Sequence, residues 1–424
     1  MKKSLFIVAL GAFALTSCSQ DEVLDVQKDA VQFSVVADKA SRGAVTTTAN
    51  IDNFTVTAFN VETTGGGDKV NGTTFMNLNK VELKDGKWVP GITKFWPTEG
   101  AINFYSYSPS DLTGVSVAAA AQTITHTVPT TCGNQIDILY ALNTGLGKAD
   151  GEVPVNFRHA LAQIVFQAEN SKSDLEVVID GVRIVNVKNS GTFSWPTAST
   201  NNPNYTEIEN GGTGDTPSDT QLDGSWGTWA LSPTDPYVSH PADITQQILT
   251  GETAAAVALT KAADPLLVMP QTFIPATVED KFMKIEAGKT FFAISCKIYS
   301  IENGTTKTLL WPSTDGFAEV VIPATSPDKI DAKDAWKQGR KYVYTFKFGE
   351  GAGYIGEGGV TPGTPDDPDA PSTDKPANDP SNPNQSGDPV LVPVTFTVTV
   401  DQFQTVQQDT DMNTGNTVSD AVQP

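Results

Sequence analysis

The stretch VQFSVVAD, Val31 to Asp38, stands near the start of a 424-residue chain, and VTFTVTVD, Val394 to Asp401, stands near its end. Valine, phenylalanine, valine and aspartate recur at the same four of eight offsets. Both stretches alternate in polarity, and side chains alternate across a β-strand. Each therefore predicts a strand with one apolar face: Val31, Phe33, Val35 and Ala37 in the first, Val394, Phe396, Val398 and Val400 in the second. A lone strand with an apolar face is not stable in water. Each must complete a sheet edge somewhere.

Most of the chain between them alternates in the same way. FTVTAFNV (Phe54 to Val61) and INFYSYSP (Ile102 to Pro109) are examples, as are LEVVIDGVRIVNV, PLLVMPQTF, TFFAISCKIYS and KYVYTFKF. Period-two runs between Gly, Asn, Asp and Pro clusters predict an all-β chain of antiparallel sheets packed as sandwiches. VNFRHALAQIVFQAEN (Val155 to Asn170) reads as a strand, a helical turn over HALAQ, and a second strand. DKIDAKDAW (Asp328 to Trp336) reads as one short helix.

Composition changes after Phe348. Gly349 to Gly359 is glycine-rich, and Val360 to Pro389 holds eight prolines, six aspartates and no aromatic residue. Such a stretch buries too little apolar surface to fold, and its prolines remove ladder donors. It is a disordered linker; roughly 40 residues of flexible coil reach about 35 Å. The strand beyond it can return to its own second domain or serve a neighbouring molecule.

The charge balance of 28 basic against 49 acidic residues, a net of −21, argues against nucleic acid and anionic lipid as partners. The start reads as an address. Lys2 and Lys3 precede an apolar run, Leu5 to Leu15, that is too short to span a bilayer as a mature helix. LTSC, Leu15 to Cys18, resembles a bacterial lipobox, which makes Cys18 the lipidated residue and residues 1–17 a signal peptide. SQDE follows, resembling the acidic export tag of surface lipoproteins. Cys132 and Cys296 remain; they can pair or stay as buried thiols. His126, His159 and His240 are isolated, and neither HExxH nor zinc spacing occurs, so no metal or cofactor is expected. The acidic run Asp366, Asp367 and Asp369 is interrupted by prolines and lacks calcium-ligand spacing.

Several stretches, in order, resemble the fimbrillin family, the Mfa-like pilus proteins of Bacteroides-like bacteria. They are SRGAVTTTANIDNFTVTAFN (from Ser41), FWPTEGAINFYSYSP (from Phe95), DILYALNTG (from Asp137), VNFRHALAQIVFQ (from Val155), PLLVMPQTF (from Pro265) and WKQGRKYVYTFKF (from Trp336). The long proline-aspartate linker departs from that pattern. The resemblance implies two transthyretin-like β-sandwich domains in tandem, exported as an outer-membrane lipoprotein. It also implies polymerisation by strand exchange after an arginine-specific protease removes the N-terminal segment. The divisions are then residues 18–42 as tether and removable strand, 43–153 and 154–348 as the two sandwiches, 349–389 as linker, and 390–424 as candidate donor strand with a polar tail.

The arginines fit this scheme. Only Arg42, Arg158, Arg183 and Arg340 occur, and Arg42 alone lies in a polar, glycine-flanked stretch, KASRGAV. Exposed small-residue segments are where proteases cut, so Arg42–Gly43 is the expected processing bond. The first strand then acts as a temporary plug and the last as its replacement from a neighbour. Phe33 and Phe396 would fill one large pocket, with Val31/Val394, Val35/Val398 and Ala37/Val400 beside it. The expected function is that of a stalk subunit of a surface fimbria, with other pilus subunits as partners, a possible adhesive role and no enzymatic activity. The alternative is a monomeric, surface-exposed glycan-binding lipoprotein, for which Trp226 and Trp229 in DGSWGTW are the candidate sugar platform.

Overall fold

The computed structural model describes residues 30–36, 51–200, 226–261, 265–279, 282–312, 315–349 and 395–402. The chain is all-β; among the described residues the helical turns are two short 3-10 segments, Cys132–Asn134 and Lys148–Asp150. The first ten strands are β1 (Gln32–Val36), β2 (Asn53–Thr63), β3 (Lys69–Lys84), β4 (Lys87–Pro90), β5 (Ile102–Ser108), β6 (Val115–Val117), β7 (Gln122–Thr127), β8 (Leu139–Leu146), β9 (Glu152–Asn156) and β10 (Arg158–His159). Eight of them form one sheet in the order β10-β8-β5-β2-β3-β4-β1-β9.

The centre of that sheet, β2, β5 and β8, is buried on both faces, which explains the aromatic alternation of β5. Along β5, Ile102 and Phe104 face a core shared with Phe54, Val56, Val81, Val153 and Val155. Tyr105 and Tyr107 enter a separate core with Phe193 and Trp195. On β8, Leu139 and Ala141 enter the first core, while Tyr140 and Leu142 enter the second.

The later strands are β11 (Ala162–Asn170), β12 (Leu175–Val187), β13 (Ser190–Ser194), β14 (Thr228–Leu231), β15 (Val238–Pro241), β16 (Gln247–Thr250), β17 (Val257–Ala258), β18 (Leu266–Val268) and β19 (Gln271–Pro275). There follow β20 (Val278–Glu279), β21 (Phe282–Met283), β22 (Lys289–Glu302), β23 (Thr306–Trp311), β24 (Ala318–Pro323), β25 (Lys329–Ile330), β26 (Lys333–Trp336), β27 (Arg340–Phe348) and β28 (Thr395–Gln402). A sheet ordered β17-β11-β27-β28 packs on a larger one ordered β15-β12-β22-β19-β26-β25. Between them Phe166 stacks on Phe346 with ring centroids 5.6 Å apart, and Phe292 meets Tyr344 at 4.6 Å. Most ladders are antiparallel; β1–β9, β11–β27 and β19–β22 are parallel.

Strand β9 spans the expected 153/154 division. Val153 and Val155 are fully buried in the first core, and the chain passes to the second sheet at the bend Ala160–Leu161. Strands β13 and β14 then return and join β7 and β6 in a four-stranded sheet over the first sandwich. The HALAQ stretch is that bend, not a helical turn. Its backbone groups bond across the junction: Trp229 Nε1 donates to Ala160 O at 2.6 Å, and Gly339 N–H donates to Leu161 O at 2.9 Å.

The helix expected over Asp328 to Trp336 is a hairpin of β25 and β26. Asp331 and Ala332 at its tip have φ of 49° and 62°, the left-handed pair of a tight two-residue turn. β26 pairs with β19, and Trp336 lies 4.2 Å from the Phe273 ring. Sheet pairing and that aromatic contact outweigh local helix propensity. Cys132 and Cys296 are both buried and do not pair with each other. Burial pushes the Cys296 thiol up, away from the reactive thiolate.

His240 on β15 is fully buried, with neither ring nitrogen hydrogen-bonded. Burial pushes it down from 6.5 to about 4, so the fold holds it neutral while the unfolded chain protonates it. Stability is undiminished by this group above pH 6.5 and falls as pH drops toward 4, where the loss amounts to about 3 kcal/mol. The urea midpoint of second-sandwich unfolding in His240→Leu should therefore fall less between pH 7.5 and pH 4.5 than that of the parent; equal falls contradict the assignment.

Candidate functional site

The candidate site is the groove that β1 fills. β1 lies between β4 and β9 and runs parallel to β9, with Gln32 opposite Glu152 through Val36 opposite Asn156. Toward β4 the register is shorter, with Phe33 opposite Trp88. At the groove's mouth, Val31 N–H donates to Lys94 O at 2.8 Å, and Ala30 forms an isolated bridge with Phe95. Trp96 Nε1 donates to Gly151 O at 3.0 Å, tying the loop before β5 to the turn before β9.

Alternation sets what enters the groove. Val31 is 1% exposed and Phe33 4% exposed, and Val35 packs half-buried against the same core. The Phe33 ring meets Phe54 edge-on at 5.7 Å and Phe104 edge-on at 6.2 Å, a favoured geometry for aromatic pairs. Val81, Val153, Val155 and Phe157 complete the apolar wall. Seating these three apolar side chains contributes roughly 4–8 kcal/mol before entropy. Ala37, Cys18, Arg42 and Gly43 lie outside the described residues.

The last strand has a different seat. β28 pairs antiparallel with β27 of the second sandwich and forms the edge of its sheet. Phe396 stands opposite Phe346, Val398 opposite Tyr344 and Val400 opposite Tyr342. Of the two placements open to this strand, the described one is within its own chain. Val394 and the linker lie outside the described residues.

The other candidates resolve as architecture. Trp226 is buried, with the Arg158 guanidinium 4.5 Å above its ring, and Trp229 packs on Phe193 at 5.3 Å. Trp226 is thereby closed to a sugar, and Trp229 is half-buried. Arg158 Nη2 donates to Thr200 O at 3.1 Å, and Tyr140 Oη donates to Gln338 Oε1 at 3.2 Å across the junction of the sandwiches. His159 Nδ1 and Asp137 Oδ1, 3.0 Å apart, form a buried pair there. Among the described residues no group of three or more His, Cys, Asp or Glu side chains could hold a metal ion.

Sequence reasoning missed the groove's far wall. The signal was present in EVPVNF, where Val153, Val155 and Phe157 alternate, but that stretch reads equally well as the opening of a second domain.

A fimbrillin-like family matches residues 39–362. The chain belongs to that family. It is accordingly a fimbrial subunit or adhesin of the cell surface, a class of structural and adhesive proteins, not of enzymes. No curated protein sequence matches it. Among solved structures, this fimbrillin-like chain resembles a fimbrial protein from Bacteroides vulgatus at 18% identity and TM-score 0.49, covering 75% of this chain and 94% of that one. It also resembles the tip fimbrial protein Mfa3 from Porphyromonas gingivalis, solved with a C-terminal truncation, at 12% identity and TM-score 0.30, covering 70% and 89%.

Replacing Phe33 by Ala in the uncut chain should destabilise the first sandwich by about 3–5 kcal/mol, the usual range for emptying a buried aromatic position. Ser34→Ala, one position on and facing the other way, should cost little. Urea unfolding followed by tryptophan fluorescence separates them; equal losses would contradict the groove as a core site.

Proposed function

We propose that this chain is a stalk subunit of a fimbria, assembled by strand exchange. It is exported as a lipoprotein anchored in the outer membrane through Cys18. An arginine-specific protease cuts between Arg42 and Gly43, and β1 leaves as a separate peptide. The strand carrying Val394, Phe396, Val398 and Val400 then enters the emptied groove of the next subunit. The observation that carries this reading is the seat of β1: a short strand, six residues upstream of Arg42, closes the first core with Val31 and Phe33.

Before the cut, β1 is tethered to its groove at an effective concentration that reaches millimolar or more, so a rival strand competes poorly. After the cut that advantage ends. The vacated groove would leave β4 and β9 unpaired along an apolar cleft, an unstable edge that recruits a strand. An incoming strand restores main-chain hydrogen bonds and offers alternate side chains to the pockets. Exchange also improves the donor's own position. On β27 the donor has a neighbour on one side; in the groove it has neighbours on both.

Lipid-free chain treated with an arginine-specific protease should form a ladder of heat-labile oligomers on an unboiled gel. Arg42→Ala should stay monomeric. Phe396→Asp/Val398→Asp should be cut at Arg42 but remain monomeric. Ladders from either variant contradict strand exchange, and monomers from the parent favour a glycan-binding lipoprotein.

A further inference from the structure

Beside the mouth of the groove the loop after β4 holds two large apolar side chains in solvent, Ile92 at 61% and Phe95 at 46% exposure. Their backbones are fixed. Buried Asn79 brackets Ile92: its Nδ2 donates to Ile92 O at 2.7 Å, and its Oδ1 accepts from Ile92 N–H at 3.0 Å. Phe95 is bridged to Ala30, and Lys94 O accepts from Val31 N–H. Scattered apolar residues on a surface need no explanation. Phe95 stands where the chain enters the groove, at the upstream end of β1, and Ile92 lies three residues before it in the same loop.

The two strands differ most in what precedes them. Upstream of Val31 the chain reads VQKDA, Val26 to Ala30; upstream of Val394 it reads PVLVP, Pro389 to Pro393. Aligning Val394 on Val31 sets Pro393 at the place of Ala30, beside Phe95. Val392, Leu391 and Val390 then take the places of Asp29, Lys28 and Gln27. The plug offers an amide and two charges where the donor offers three apolar side chains flanked by prolines. The prolines favour an extended approach with little ordering cost.

We propose that Val390, Leu391 and Val392 of one subunit pack on Phe95 and Ile92 of the next, giving the donor strand an apolar contact that the plug lacks. This rests on strand exchange as proposed above and names its second contact. The occupant is a second copy of this chain, running parallel to β9 as β1 does. The contact makes the groove discriminate between its two occupants: they match inside it and differ at its mouth. It also opposes rebinding of the released peptide, whose Lys28 and Asp29 would have to meet an apolar surface.

The test is a mutant cycle in the full lipid-free chain. The acceptor variant is Ile92→Ser/Phe95→Ser, the donor variant is Val390→Ser/Leu391→Ser/Val392→Ser, and a third chain combines them. Ile92 and Phe95 are exposed, so the uncut acceptor variant should unfold at the parent's urea midpoint. After arginine-specific cleavage, oligomers of each variant should dissociate about tenfold faster than the parent's, the scale expected for losing one apolar side-chain contact. Because both variants remove one contact, the combined chain should be about tenfold faster as well, not a hundredfold. Additive losses, or unchanged dissociation in either variant, overturn the contact while leaving strand exchange intact. Failure of the parent chain to oligomerise overturns strand exchange itself, and this contact with it.

Discussion

The ladder between β1 and β9 is the constraint on which the first sandwich depends. Among the described ladders, β9 finds its partner in β1 alone. Val153 and Val155 reach the core from β9, and Val31 and Phe33 close that core from above. A segment of a few residues thus completes both the hydrogen bonding of its neighbours and the packing beneath them. Buried backbone groups must be paired, and a core open along one side loses contacts across its whole lining. The same seat that stabilises the uncut chain would make the cut chain demand a replacement.

The second sandwich is built differently at the corresponding place. β27 runs parallel to β11 over eight residue pairs, Gln163 with Lys341 through Asn170 with Phe348. It is held from beneath as well. Arg340 donates to both oxygens of the buried Asp328 carboxylate at 2.8 and 2.9 Å, Tyr342 Oη donates to the same group at 2.5 Å, and Trp336 Nε1 donates to Tyr344 Oη at 2.9 Å. Most of what fixes β27 therefore lies on the side away from β28. Removing an edge strand from a framework held in this way costs its ladder and its apolar face, but no further strand depends on it. This asymmetry is what the proposed exchange requires: a first strand that must be replaced once lost, and a last strand that can leave its own sheet.

The sequence made the strands legible because alternation is a local signal. VQFSVVAD and INFYSYS announce their faces residue by residue, and the aromatic spacing of β5 anticipates two cores. The topology was hidden because it depends on long-range pairing. Nothing local to Ser190–Ser194 or Thr228–Leu231 says that they cross back to cover Tyr105 and Tyr107. EVPVNF reads as a strand, but its partner lies some 120 residues upstream. DKIDAKDAW has the composition of a short helix, yet the pairing of β26 with β19 decides its conformation. Arg42 lies outside the described residues, so its reading as a processing bond rests on the sequence alone, whereas the exposed Phe95 acquires meaning only once β1 is seen to begin beside it.

The proposed exchange of occupants in the groove can be tested directly by placing a photo-crosslinking phenylalanine analogue at Trp88, opposite Phe33. In the uncut monomer it should capture the stretch containing Phe33. In oligomers formed after cleavage, mass spectrometry should find it joined to a peptide containing Phe396 from another molecule, shown by isotopic labelling of one half of the chains. Capture of Phe33 in the oligomer, or of Phe396 from the same molecule, would contradict the account.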